Sequence, residues 1–240
     1  MKVVVGNNEK ISKLIAEEFI KQVNEKPNSV LGLATGTSPL EVYANLVKAN
    51  KEGRVSFKDV VTFNLDEYIG LDGTHNQSYR YFMNTNLFDH IDIDKSNTHV
   101  LKGVGDYEAY ARQYDKEIAS FGGIDLQILG IGSEGHIAFN EPGTSFDSLT
   151  HVAELAESTI VDNSRLFNDI SEVPTKAVTM GLKSIMNAKK IVLIATGKNK
   201  AKAIKDLLCG EKTEEVPCSI LQDHPDCTIY VDEDAYSLVK

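Results

Sequence analysis

Cysteine is scarce in this chain. Only Cys209, Cys218 and Cys227 occur in 240 residues. The number is odd, no CxxC is present, and no His/Cys cluster has zinc-ligand spacing, which argues against a disulfide framework and for a reducing compartment. Basic runs are also lacking. Lys and Arg number 25 against 35 Asp and Glu, a formal net charge of −10. A nucleic-acid backbone would need a stripe of positive charge, so a nucleic-acid partner is not expected. Long apolar runs are missing as well. The opening MKVVVGNNEK is too short for a signal peptide's apolar region. No window approaches the roughly 20 apolar residues of a membrane span. No membrane partner is expected, and the expected location is cytoplasmic. No Pro/Ser linker, internal repeat or low-complexity stretch divides the chain, so residues 1–240 are expected to form a single domain.

Hydrophobic residues make up 42% and charged residues 25% of the sequence, an ordinary globular balance. Short apolar runs rich in β-branched residues fall at 3–5, 30–34, 60–63, 126–131, 191–195 and 228–231, with a further short one at 98–101. Being apolar on both faces, they predict strands buried between two helical layers. Helical spacing separates them: Ile11, Leu14, Ile15, Phe19 and Val23; Tyr107, Tyr110, Ala111, Tyr114 and Ile118; Ala201, Ile204, Leu207 and Leu208. Ser38 reads as a helix N-cap, with Pro39 in the first helical position and Glu41 completing a capping box. The expected fold class is α/β: a three-layer α/β/α arrangement with a mostly parallel, Rossmann-like central sheet.

Ligands of such sheets sit at the carboxyl ends of the strands. The second strand runs into Thr35, Gly36, Thr37 and Ser38, a hydroxyl-rich turn that opens a helix and suits a phosphate or an oxyanion. No Walker lysine follows, which disfavours a nucleoside triphosphate. The third strand ends at Asp66 and Glu67, a general base or an ordinary acidic turn. After the strand at 126–131 comes GSEGHIAFNEPG. Gly130, Gly132 and Gly135 fit G-x-G-x-x-G, but Pro142 and Gly143 interrupt any helix, so the dinucleotide reading is rejected. His136 lies instead between Glu134 and Glu141, an arrangement fit for proton transfer. Arg165 and Lys200 are isolated cations near strand ends. Tyr79 and Tyr81 read as helix-packing aromatics, and the other histidines as structural.

LATGTSP at 33–39, FNLDEYIGL at 63–71 and GIGSEGHIAFNEP at 130–142 resemble the glucosamine-6-phosphate deaminases. VSFKDVVTFNLDEY, SYRYFM, NLFDHIDI and VDNSRLF extend the resemblance over nearly the whole chain in the same order. It implies conversion of glucosamine 6-phosphate and water into fructose 6-phosphate and ammonia, with no cofactor and no metal. It also implies roles: Asp66 as general base between carbon 2 and carbon 1, His136 in ring opening, Glu141 orienting His136, the 35–38 turn with Arg165 and Lys200 on the phosphate. The activity is accordingly expected to class as a hydrolase. The expected partner is a small amino-sugar phosphate, and the expected state a monomer or small homo-oligomer.

Two departures from the family pattern stand out. Glu134 occupies a place where compared members carry Asp or Asn, and it is expected to support His136 in a rearranged way. Longer members bind N-acetylglucosamine 6-phosphate at a basic cluster after the NEP motif. HVAE at 151–154 lacks that cluster, so allosteric activation is not expected. The alternatives are a 6-phosphogluconolactonase-like hydrolase and a non-catalytic sugar-phosphate sensor. The first leaves FNLDEYIGL unexplained. The second would need only the phosphate site.

Overall fold

The computed structural model describes residues 1–239. Among the described residues are ten strands: β1 (Lys2–Val5), β2 (Val30–Leu33), β3 (Val61–Asn64), β4 (Asp66–Tyr68), β5 (Thr98–His99), β6 (Leu126–Leu129), β7 (His151–Glu154), β8 (Lys176–Thr179), β9 (Ile191–Ala195) and β10 (Cys227–Val231). The α-helices are α1 (Asn8–Glu25), α2 (Leu40–Lys51), α3 (Tyr79–Asn86), α4 (Tyr107–Ser120), α5 (Glu157–Ser164), α6 (Leu182–Met186) and α7 (Ala201–Cys209).

Seven strands form one parallel sheet in the order β1-β10-β9-β6-β2-β3-β5. Every residue of β2, β3, β6, β9 and β10 is buried. A strand covered on both faces gains from apolar, β-branched side chains throughout, and this is why these runs do not alternate. The helices supply the cover. Ile11, Ile15, Phe19 and Val23 of α1 and Ala111, Tyr114 and Ile118 of α4 turn inward at helical spacing. Asn7 and Asp106 cap these helices, accepting from the backbone N–H of Lys10 and Ala109. The expected three-layer α/β/α class is the one observed.

The strand order locates a crevice. From β2 the chain moves outward one way, through β3 to β5, then returns to place β6 on the other side of β2 and proceeds through β9 to β10. The loops leaving β2 and β6 therefore part in opposite directions and open a cleft at the carboxyl edge of the sheet.

Two local expectations are corrected. Helix α2 begins at Leu40, and no side chain caps it. The chain already turns at 37–40, with Leu40 N–H donating to the Thr37 carbonyl at 3.4 Å. The Glu41 carboxylate accepts from Asn8 Nδ2 at 2.6 Å instead of closing a capping box. Ser38, free of a capping role, lines the cleft. Second, the segment after β3 is a strand and not a turn. β4 joins a separate antiparallel sheet, β4-β8-β7, pairing Asp66 with Thr179, Glu67 with Val178 and Tyr68 with Ala177. Leu65 is the joint: its N–H donates to Leu33 of the large sheet, and its carbonyl accepts from Met180 at the end of β8.

Candidate active site

The cleft at the β2/β6 crevice has a volume of about 430 Å³. Its walls include Thr35, Gly36, Thr37 and Ser38 after β2, Asp66 on β4, Gly130, Gly132 and His136 after β6, Arg165 after α5, and Thr196 and Lys200 after β9. Four separate strand ends and the end of α5 thus deliver most of the residues singled out from the sequence to one place. Two of those residues lie elsewhere. Glu141 stands behind His136. Glu134 is exposed and outside the cleft, so the rearranged contact to His136 expected of it is not formed.

Asp66 and Glu67 divide their duties by the pleat, since successive strand residues point to opposite faces. Asp66 enters the cleft and is 6% exposed. Burial, with the neighbouring Glu67 charge, pushes its carboxyl up to about 8. Glu67 turns the other way and holds the start of α3. Its carboxylate accepts the backbone N–H groups of Tyr68, Tyr79 and Arg80 at 2.9, 2.9 and 3.0 Å. Burial pushes Glu67 up to about 7 against those three donors and the Arg80 charge. Glu67 is therefore structural. Glu67→Ala leaves the donors at the start of α3 unpaired in a buried place, which costs about 1–3 kcal/mol for each orphaned group. A drop in the urea midpoint equivalent to at least about 2 kcal/mol is expected; an unchanged midpoint contradicts this role.

His136 sits in a tight loop. Gly132 N–H donates to the His136 carbonyl at 2.9 Å, and Gly135 N–H to the Gly132 carbonyl at 3.1 Å. A Cβ at Gly132 would lie 2.1–2.4 Å from the His136 ring, so this position needs glycine for a close approach. Ala138, which also lines the cleft, has φ 52°, the one positive value among non-glycine residues described. Such strain persists only where surroundings fix it. Here β8 does so: Phe139 N–H donates to Thr179 Oγ1 at 3.1 Å, and Asn140 Nδ2 donates to the Met180 carbonyl at 2.8 Å. Because Thr179 also pairs with Asp66, one strand fixes the His136 loop relative to that carboxyl.

His136 Nδ1 is 3.4 Å from Glu141 Oε2 and has no hydrogen-bond partner at ordinary distance. That is a contact poised to tighten rather than a formed bond, common for catalytic pairs without substrate. Burial pushes the Glu141 carboxyl up, but His136, Thr159 and the Ala156 N–H outweigh it and hold it below the usual range.

At the other end of the cleft stand the cations. Gly197 N–H donates to Asp232 at 2.9 Å, fixing the turn that carries Lys200. Burial lowers the Lys200 ammonium pKa, as does neighbouring Arg165, while Asp162 opposes them. Two cations stand beside a hydroxyl-rich turn, a chemistry suited to an anion despite the net charge of −10. Sequence reasoning missed Thr196, Asn199, Thr159, Asp162 and Asn163, and Tyr79 lines the cleft instead of merely packing a helix. Thr196 directly follows β9 and was findable by the strand-end rule. Thr159 and Asp162 lie on α5, whose pattern signals nothing. Among the described residues no group of three or more His, Cys, Asp and Glu is placed to hold a metal ion, and no helix is long and apolar enough to cross a membrane.

Comparison with known proteins agrees with this geometry. A family described as glucosamine-6-phosphate isomerases/6-phosphogluconolactonase matches residues 7–230. A glucosamine-6-phosphate deaminase of Thermoanaerobacter pseudethanolicus is 55% identical, covering 100% of this chain and 95% of its own length. One from Clostridium perfringens is 50% identical, covering 99% of each. A solved monomeric glucosamine-6-phosphate deaminase superposes with a TM-score of 0.97 at 43% identity, covering 99% of this chain and 100% of its own. These names correct the hydrolase class expected from the sequence: the relatives are deaminases, in a family described by isomerisation, so loss of an amine accompanies a rearrangement and is not a simple hydrolysis. By the extent of the family match and the identity over its full length, the chain belongs to the glucosamine-6-phosphate isomerase/6-phosphogluconolactonase family.

Proposed function

We propose that the protein is a glucosamine-6-phosphate deaminase, converting glucosamine 6-phosphate and water into fructose 6-phosphate and ammonia. The observation that carries this reading is the arrangement across one cleft: a buried carboxyl at Asp66, a Glu141-backed His136, and an anion site at the 35–38 turn, Arg165 and Lys200. Full-length relatives named for this activity support it.

The chemistry follows from the residues. Phosphate at the cationic end supplies orienting binding energy remote from the reacting carbons. His136 passes a proton between the ring oxygen and the carbon 1 hydroxyl, opening the sugar. Glu141 steadies its imidazole. Ionised Asp66 removes the carbon 2 proton while the substrate ammonium gives a proton to the carbon 1 oxygen, forming an enolamine, and Asp66 then returns its proton to carbon 1. The resulting imine at carbon 2 takes up water and releases ammonia, leaving the ketose. Every proton removed is returned, so the chain needs no redox partner. The protein is read as a monomer, as in the monomeric deaminase whose fold it shares; a sedimentation mass near 26.4 kDa checks this.

The direct test mixes the protein with glucosamine 6-phosphate and follows both products. Equal release of ammonia and fructose 6-phosphate is expected, and no release above background removes the proposal. 6-Phosphogluconolactone serves as the contrasting substrate. Lys200→Met should raise KM about 10- to 100-fold, the value of a charged hydrogen bond lost from the phosphate. Its kcat should fall much less, and a normal KM would remove Lys200 from the anion site.

A further inference from the structure

We propose that Thr159 is a positioning residue of this site, its hydroxyl aiming the Glu141 carboxylate at His136. The inference rests on the roles of His136 and Glu141 given above. The two oxygens of Glu141 have separate partners. Oε2 lies 3.4 Å from His136 Nδ1. Oε1 accepts from Thr159 Oγ1 at 2.6 Å and from the Ala156 N–H at 3.3 Å. The terminal torsion of a glutamate is broad and roughly two-fold. A long contact to His136 leaves that torsion loose, and the short Thr159 bond fixes it.

The setting of Thr159 points the same way. It is 4% exposed and is the one buried residue of α5, whose other positions are open or half-buried. Helix α5 has no side-chain cap, and its first turn is held by this contact together with Ile160, which packs on the Tyr68–Phe139 cluster. A threonine kept only for packing would be replaceable by valine, which has the same shape and no donor. Here the hydroxyl answers a half-buried carboxylate. The same helix brings Asp162 and Asn163 to the cleft wall and ends at Arg165. One eight-residue helix therefore carries the clamp on Glu141 and leads directly into the proposed anion ligand Arg165.

Steady-state kinetics of three variants test the role. Thr159→Val should lower kcat about 10-fold, the equivalent of one hydrogen bond to a charged group, with KM changed less than about 3-fold. Thr159→Ser should return kcat to within about 2-fold of the parent. In a Glu141→Gln background Thr159→Val should have no further effect, because the carboxylate it positions is gone. Equal losses in both backgrounds, or a serine variant as poor as the valine one, overturn the proposal. A second readout does not depend on turnover. The carbon-13 titration of the Glu141 carboxyl should move upward in Thr159→Val and stay in place in Thr159→Ser. If the valine variant fails to fold, Thr159→Ala removes the same donor and is read in the same way. An unmoved titration overturns the positioning role whatever the substrate. A moved titration in a protein that releases no ammonia supports the positioning role and overturns only the substrate reading.

Discussion

Asp66→Asn should abolish ammonia release and at the same time make the protein more stable above neutral pH. The loss of activity follows from removing the carboxyl that the start of β4 presents to the cleft. General-base catalysis is worth about 10²–10⁴-fold, and the amide offers no base at all, so a fall in kcat of about 10⁴ is expected. Proton exchange at carbon 2 of the sugar should cease, while binding of a phosphorylated analogue survives. The gain in stability comes from linkage. In the fold the Asp66 carboxyl is pushed up to about 8 by burial and by Glu67, against about 3.9 in an unfolded chain. Between those values the folded protein keeps a proton that the unfolded chain releases. Its contribution is thus fully present below about pH 4 and is lost as pH rises through 8. Asparagine carries no such proton. The stability gap between variant and parent should be absent near pH 4, open with rising pH, and reach several kcal/mol near pH 9, with about 6 kcal/mol as its bound. Urea melts at three pH values read it, and a constant gap contradicts the assignment. The parent's kcat/KM should rise with pH through about 8, since the base must be ionised in the free enzyme.

Gly132→Ala should inactivate the protein without unfolding it. The added methyl would lie 2.1–2.4 Å from three atoms of the His136 ring, the nearest atoms to it. Gly132 does not have a positive φ, so alanine fits its backbone. The imidazole is the softer partner and must swing away, which removes it from both Glu141 and the cleft. A displacement of about 1 Å at a reacting group costs on the order of 10²-fold, and loss of the ring altogether more. The expected result is a kcat at least about 100-fold lower with a melting temperature changed by only a few degrees. Supplying pre-opened sugar phosphate, if His136 acts in ring opening, should recover part of the rate. Full activity in this variant would place His136 outside the reaction.

The parallel sheet was legible because its strands are buried on both faces and so read as continuous apolar runs; β9 and β10 are the clearest cases. The small sheet was not. Asp66, Glu67 and Tyr68 read as a polar turn, and His151, Val152, Ala153 and Glu154 are half-covered with no alternation strong enough to mark a strand. Their pairing with β8 is a long-range fact, separated by over a hundred residues for β4, and no local pattern carries it. The cleft residues were legible where they follow strand ends, as at Thr35 and His136. Glu134 misled because proximity in sequence to His136 suggested contact. The tight turn at Gly132 and Gly135 sends its side chain outward to solvent. Thr159 was illegible because its only signal is a single bond across 18 residues.

The seating of Asp66 on β4 and of Arg165 after α5 has a consequence for how this cleft can change over generations. Asp66 is gripped from two sheets through Leu65 and Thr179, so substitutions there disturb the whole frame. Helix α5 is short, uncapped and mostly open, with Val161 at 53% exposure. Changes along it cost little stability. Lineages that keep the proton transfers but take a differently decorated phosphorylated sugar would therefore diverge first at Asp162 and Asn163, the cleft-lining positions of α5 outside the Thr159 clamp, and hydrogen exchange should already separate the two regions, fast along that helix and slow at Leu65.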